Sequence, residues 1–166
     1  MNSKAQFYIN HLNLHPHPEG GYFRELYRSS EKINEENLPT RFKGDRCFST
    51  SIYFLLEGNQ VSKFHQLKSD EIWHFYDGSS VRIYILKPEV ELNTVVLGKG
   101  FSTGELFQTV IGHGNWFAAE VIDKTSYCLV GCDVSPGFDY NDFELADRNK
   151  LLTKFPQHRE LIINFT

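Results

Sequence analysis

The stretch GNQVSKFHQLKSDEIWHFYDG (residues 58–78) holds two β-prone runs, 61–67 and 71–76, around the polar turn Lys68-Ser69-Asp70. Asp77-Gly78 ends it with a hairpin signal. Antiparallel neighbours place positions of equal parity on one face when the turn does not shift the register. His65, Leu67, Glu71, Trp73 and Phe75 are therefore expected to look into one interior space. His74 is expected to look out of it unless a bulge re-aims it. An imidazole and a carboxylate on one aromatic face are groups that suit acid–base chemistry or the binding of a small ligand.

Outward from this hairpin, β-branched and aromatic runs continue at 22–27, 48–56, 81–86, 94–97, 107–111, 116–122 and 127–130. Short strands recurring at roughly 8–12 residues predict an antiparallel sandwich or barrel. The polar segment 29–46 reads as a long loop. At the N-terminus, Ser3 and Gln6 have capping-box spacing, and Ala5, Tyr8, Ile9 and Leu12 form one helical face. His15-Pro16-His17-Pro18 ends that helix, because proline cannot continue it. At the C-terminus, Asp147 can cap a turn carrying Leu151, Leu152 and Phe155; Pro156 interrupts it, and Leu161, Ile162 and Phe165 form a last helix. With no internal repeat and no linker, residues 1–166 read as a single domain.

Composition narrows the function classes. The formal charge of −4 and the lack of a Lys/Arg stripe argue against a nucleic-acid partner. No apolar run approaches the roughly 18–20 residues of a membrane helix, and the N-terminus lacks the pattern of a secretory signal, so no membrane partner and a cytoplasmic location are expected. The three cysteines, Cys47, Cys128 and Cys132, form no Cys-x-x-Cys pair and read as buried free thiols. There is no Gly-x-Ser-x-Gly nucleophile elbow and no phosphate-cradling glycine loop. Aromatic residues make up 14% of the chain, which favours strands and lined pockets.

Residues 58–78 resemble the first cupin motif, with His65, Glu71 and Gly78 in order. The segment from Val110 through Gly112-His113-Gly114 to Phe117 is similar to the second. HPEGGYFRELYRS (17–29), STSIYFLL (49–56), FHQLKSDEIWHFYDG (64–78), GNWFAAE (114–120) and SPGFDYNDFELADRNKLL (135–152) carry a closer resemblance, to small cupins of the cupin-5 type, a domain of unknown function. That resemblance implies a mainly β fold, a cupin-type double-stranded β-helix (jelly-roll barrel) with short N- and C-terminal helices, like that of nucleotide-sugar epimerases and germins. It also implies a homodimer. Typical metal-binding cupins use three histidines and a glutamate; here Leu67 and Phe117 stand where two donors would be. No cofactor is therefore expected, and the alternative is a divalent metal held by His65, Glu71 and His74.

Two further readings stay open. In one, a metal-independent isomerase or epimerase acts on a small polar, sugar-like molecule, with His65 as base, Glu71 orienting it and Tyr53 or Tyr22 returning a proton. Arg24 would anchor an anionic group. In the other, the barrel binds a small ligand without turning it over. Trp73, His74, Gln108, Trp116 and Glu120 complete the candidate ligand contacts, with Trp116 able to stack on a flat or sugar-like ligand. His15, His17 and His158 read as loop or surface histidines, and His65 and Glu71 as a pair that could hydrogen-bond each other.

Overall fold

The computed structural model describes residues 3–87 and 91–166. Helix α1 (Ser3–His11) leads into β1 (His15–Pro16), β2 (Tyr22–Arg28), β3 (Lys32–Ile33), β4 (Arg46–Cys47), β5 (Thr50–Glu57), β6 (Val61–Leu67), β7 (Asp70–Gly78) and β8 (Val81–Leu86). Then come β9 (Leu92–Leu97), β10 (Gln108–Ile111), β11 (Trp116–Val121), β12 (Tyr127–Ser135) and β13 (Phe143–Leu145), followed by α2 (Arg148–Lys154) and α3 (Arg159–Asn164). The strands form a six-stranded sheet, β1-β2-β5-β12-β7-β10, and a five-stranded sheet, β13-β6-β11-β8-β9. Sequence neighbours such as β6 and β7 fall in different sheets. The expected β-hairpin of 58–78 is therefore a corner between sheets, and its two strands face each other across the barrel. Both strands still aim the expected positions inward: His65, Leu67, Glu71, Trp73 and Phe75 are all buried. The architecture is the expected jelly-roll barrel with helices at its ends.

The core follows from the pattern of apolar faces. Phe54, Trp73 and Val130 from one sheet meet Ile83, Phe117 and Val121 from the other. The sequence WFAAEV of β11 is apolar on both faces because both are covered. Phe117, Ala119 and Val121 face the barrel, while Trp116 and Ala118 pack with Leu151, Phe155, Ile162 and Phe165 from the C-terminal segment. Asp147 caps α2 as expected, its side chain accepting from the Lys150 amide. Helix α1 covers the outer side of β5 and β12 through Ala5 against Leu55 and Leu129. All three cysteines are buried and free.

The segment 29–46 is not wholly a loop: β3 and β4 pair within it, Lys32 opposite Cys47. Its last residues insert a buried arginine. Arg46 Nε donates to Asp142 Oδ2 at 2.5 Å and Nη2 to Asp142 Oδ1 at 2.7 Å. This fork ties the segment to the chain just before β13, next to the mouth of the barrel.

Candidate functional site

One end of the barrel encloses a cavity of about 140 Å³ lined by β2, β5, β6, β7, β12 and the segment leading into β13. A single water needs roughly 10–15 Å³ of such space, so a small organic ligand fits. The walls are apolar: Phe23, Ile52, Phe54, Leu67, Val134 and Phe143. Set into them are His17, Glu19, His65, Glu71 and Cys132, with Glu25 and Arg28 also lining the cavity.

His65 sits on β6 opposite Phe117 of β11, whose ring centroid lies 4.0 Å away. Its two nitrogens are both engaged. Nδ1 lies 2.7 Å from the Lys63 carbonyl oxygen, which can only accept, so Nδ1 carries hydrogen. Nε2 lies 3.0 Å from Glu19 Oε2. Glu19 Oε1 accepts in turn from the Ser62 hydroxyl at 2.8 Å. Burial opposes the charged imidazole, but the Glu19 carboxylate outweighs it, and the His65 pKa is raised. Burial likewise opposes the Glu19 carboxylate, but the charge of His65 and its hydrogen bond carry the Glu19 pKa below its usual value. The pair is a buried imidazolium–carboxylate, and the partner of His65 is Glu19 rather than Glu71.

Glu71, on β7, is left without such a partner. Its Oε2 is buried and accepts no hydrogen bond among the described residues. Burial pushes its pKa up to about 7; the His65 charge opposes the rise and the Glu19 carboxylate adds to it. The Cys132 thiol and the Trp73 indole favour the ionised form, yet neither closes a hydrogen bond on Oε2. A carboxyl that titrates near neutrality inside an apolar cavity can give or take a proton.

The other sequence candidates are dispersed. Tyr53 alternates to the outer side of β5, where it meets Tyr76 edge-on. Tyr22 packs with the α1 cluster. Arg24 is exposed and donates to the Leu12 carbonyl at 3.0 Å. Arg28 lines the cavity instead, because the register of β2 against β5 shifts between Glu25 and Tyr27 and reverses the parity beyond it. Arg28 forks onto Glu25 at 3.0 and 2.7 Å and reaches the Phe138 carbonyl at 3.0 Å. Trp73 is core, edge-on to Phe54 and Phe117. Trp116 is buried beneath the C-terminal helices, which gives it no open face for stacking. Gln108 is exposed on β10, opposite His74. Glu120 accepts from Tyr84 at 2.7 Å and Lys124 at 2.7 Å, away from the cavity. His74 points to the outer face of β7 and pairs with Asp133 at 3.1 Å. A metal set of His65, Glu71 and His74 is therefore not assembled, and both nitrogens of His65 are committed elsewhere. Among the described residues no group of His, Cys, Asp and Glu has a metal-holding arrangement, so the donor set does not fit a cupin-type metal.

Glu19 and His17 are the polar cavity residues the local pattern hides. His17 is no surface histidine: its side chain is 8% exposed. Both precede Gly20-Gly21, and that dipeptide was the available signal. Gly20 has φ of +114°, and a Cβ there would sit 2.2 Å from the Val61 carbonyl oxygen. Only glycine lets the loop run this close to β6, where the Glu19 carbonyl accepts from the Lys63 amide at 2.9 Å.

A family model described as "Cupin superfamily (DUF985)" matches residues 6–146. The crystal structure of protein SO0799 from Shewanella oneidensis is 38% identical and superposes with a TM-score of 0.87, covering 100% of this chain and 98% of that one. The uncharacterized protein YML079W of Saccharomyces cerevisiae is 29% identical over 149 residues, 84% of this chain and 74% of that protein. Oxalate decarboxylase from Bacillus subtilis shares the fold, with a TM-score of 0.56 at 16% identity over 93% of this chain and 37% of its own.

Proposed function

The chain belongs to the DUF985 family of the cupin superfamily, and from that premise we propose that its barrel binds a small polar, sugar-like molecule and moves a proton on a carbon next to a carbonyl, as an isomerase or epimerase does. One observation carries this reading: Glu71 lines the cavity with its buried Oε2 unpaired among the described residues, on a carboxyl whose pKa burial lifts to about 7. Such a group is poised to exchange a proton at neutral pH. His65 has no free nitrogen to act as the base, so that role passes to Glu71. The His65 imidazolium near it favours the ionised Glu71, while its Glu19 partner opposes that, so the pair as a whole is neutral and leaves the Glu71 pKa set mainly by burial. The apolar, aromatic walls suit the C–H faces of a sugar-like ligand. With Leu67 and Phe117 in the donor positions, the chemistry rests on side chains.

The test is solvent exchange. Purified protein incubated in D₂O with a panel of aldoses, ketoses and smaller hydroxy-carbonyl compounds is expected to exchange the C–H beside the carbonyl of at least one of them. Glu71→Gln is expected to slow that exchange by about 10²–10⁴-fold, the usual share of a general base. A panel that binds in the cavity but never exchanges would instead make the barrel a binding module.

The same reading covers assembly and location. The outer face of the six-stranded sheet exposes Tyr76 (48%) and Val110 (58%), the latter on the edge strand β10. A second copy of the chain covering this face would remove both the apolar patch and the open edge. Light scattering should then return twice the 19.3 kDa chain mass, and a monomer mass at micromolar concentration would end the idea. Three free thiols support a reducing compartment such as the cytoplasm. No helix among the described residues is long and apolar enough to cross a membrane.

A further inference from the structure

His17 is the second imidazole that lines the cavity. Its Nδ1 accepts from the Glu19 amide at 3.4 Å and lies 3.5 Å from Glu19 Oε2; the amide hydrogen bond puts the ring hydrogen on Nε2. No group among the described residues accepts that hydrogen. The ring is fixed edge-on against Phe23 at 4.6 Å and against Phe54 and Phe143 at 6.0 Å each. Burial pulls its pKa down, the Glu19 carboxylate opposes this, and the cationic His65 adds to it, so the ring stays neutral. Glu19, His65, Glu71, Cys132, Glu25, Arg28 and Tyr140 are the other titratable or charged groups lining the cavity.

We propose that the Nε2–H of neutral His17 binds and polarises the carbonyl oxygen of the ligand while Glu71 takes the proton from the adjacent carbon, which makes the substrate class a small carbonyl compound with an acidic C–H, α-hydroxy ketones among them. This rests on the proton-transfer reading of Glu71. The pairing of a buried carboxylate base with a neutral imidazole donor is a known solution to enolisation at neutral pH. In the step, the C–H bond breaks and its proton goes to the Glu71 carboxylate. The bonding pair becomes the C=C of an enolate, and the carbonyl π pair moves onto oxygen, where the His17 hydrogen bond holds it. The reverse step returns a solvent-equilibrated proton to carbon, and nothing is oxidised or reduced. Of the remaining walls, Ile52, Leu67, Val134 and Phe138 are apolar, and Thr50 and Tyr140 carry hydroxyls.

Two measurements test it. Long-range ¹⁵N–¹H spectra of the histidine rings in the full chain should show His17 as the neutral Nε2–H tautomer at neutral pH, and that resonance should move when acetohydroxamate, a mimic of the enolised ligand, is added. An Nδ1–H tautomer, a His17 imidazolium at neutral pH, or an unmoved resonance with bound hydroxamate overturns the inference. In D₂O with dihydroxyacetone, His17→Phe keeps the ring packing but loses the donor, and should exchange about 100-fold more slowly than the parent. His17→Gln, which keeps a neutral donor, should recover to within about 10-fold of the parent. Full exchange by His17→Phe with loss in Glu71→Gln removes the His17 role alone. Loss in His17→Phe with full exchange by Glu71→Gln removes the Glu71 role and leaves His17 as the polarising group. If the parent exchanges no carbonyl compound, the Glu71 reading falls, and the ring spectra alone decide whether His17 is the donor.

Discussion

Asp142→Ala is expected to destabilise the folded chain by about 3–5 kcal/mol, the usual cost of leaving one partner of a buried ion pair alone. The side chains of Arg46 and Asp142 are each 3% exposed, and their bonds are bidentate. Arg46 keeps the carbonyls of Gly44 and Asp45, both at 2.9 Å, but neither neutralises its charge. Lys68, 3.3 Å from Asp142, loses a partner too, though it is exposed and adds little. For a chain of this size the loss corresponds to a fall of roughly 6–20 °C in Tm. The double replacement Arg46→Met with Asp142→Leu removes both charges, and should recover most of that stability if the desolvation of Arg46 is the cause. Thermal unfolding of the two variants decides it: equal losses in both would mean that the backbone around 140–143, rather than the unpaired charge, was responsible. The pair also matters to the cavity, because Tyr140 and Phe143, on either side of Asp142 in the same segment, are part of its wall.

Glu71→Gln is expected to make the protein more stable at alkaline pH while it slows the proposed proton transfer. Between the ordinary carboxyl value of 4.5 and about 7, the folded chain holds a proton on Glu71 that the unfolded chain has already released. The folded state binds more protons there, so stability falls as pH rises through that interval. The full loss is about 3 kcal/mol, at 1.36 kcal/mol for each pH unit of displacement. Below the lower value Glu71 is protonated in both states and contributes nothing to the slope. The raised pKa of His65 acts in the same direction at higher pH: its stabilisation is complete below 6.5 and is lost as pH passes its folded value. Glu19, with its lowered pKa, stabilises above 4.5 and is lost only as acid titrates it in the folded state. Neutral glutamine removes the Glu71 contribution alone. Urea unfolding at about pH 5 and about pH 8 should therefore show the variant gaining on the parent by about 3 kcal/mol across the interval. An equal difference at both pH values would mean that Glu71 is not the buried, unpaired carboxyl described above. A site that costs stability in order to hold a reactive group is the usual sign of function.

Much of this was legible in the residues alone. The strand runs, their short spacing and the apolar stripes at both termini predicted an antiparallel sandwich or barrel flanked by short helices, because a strand with one buried face must alternate, and alternation is local; the cupin resemblance narrowed this to a jelly roll. The same rule turned His65, Leu67, Glu71, Trp73 and Phe75 inward and His74 outward. At β2 alternation puts Phe23 and Glu25 in the cavity wall and Arg24 outside it, and a register shift after Glu25, which the sequence does not announce, brings Arg28 in. Alternation could not foresee that the C-terminal helices would bury Trp116. Nor could it reveal which groups meet across the barrel. Glu19 reaches His65 because Gly20 lets its loop pass against β6; that contact raises the His65 pKa and leaves Glu71 without His65 as a partner, and the Glu19 amide of the same loop donates to His17. Fold class follows from periodicity within each segment. The chemistry of the cavity depends on desolvation and on charges brought together from distant parts of the chain, and both exist only once the two sheets have closed.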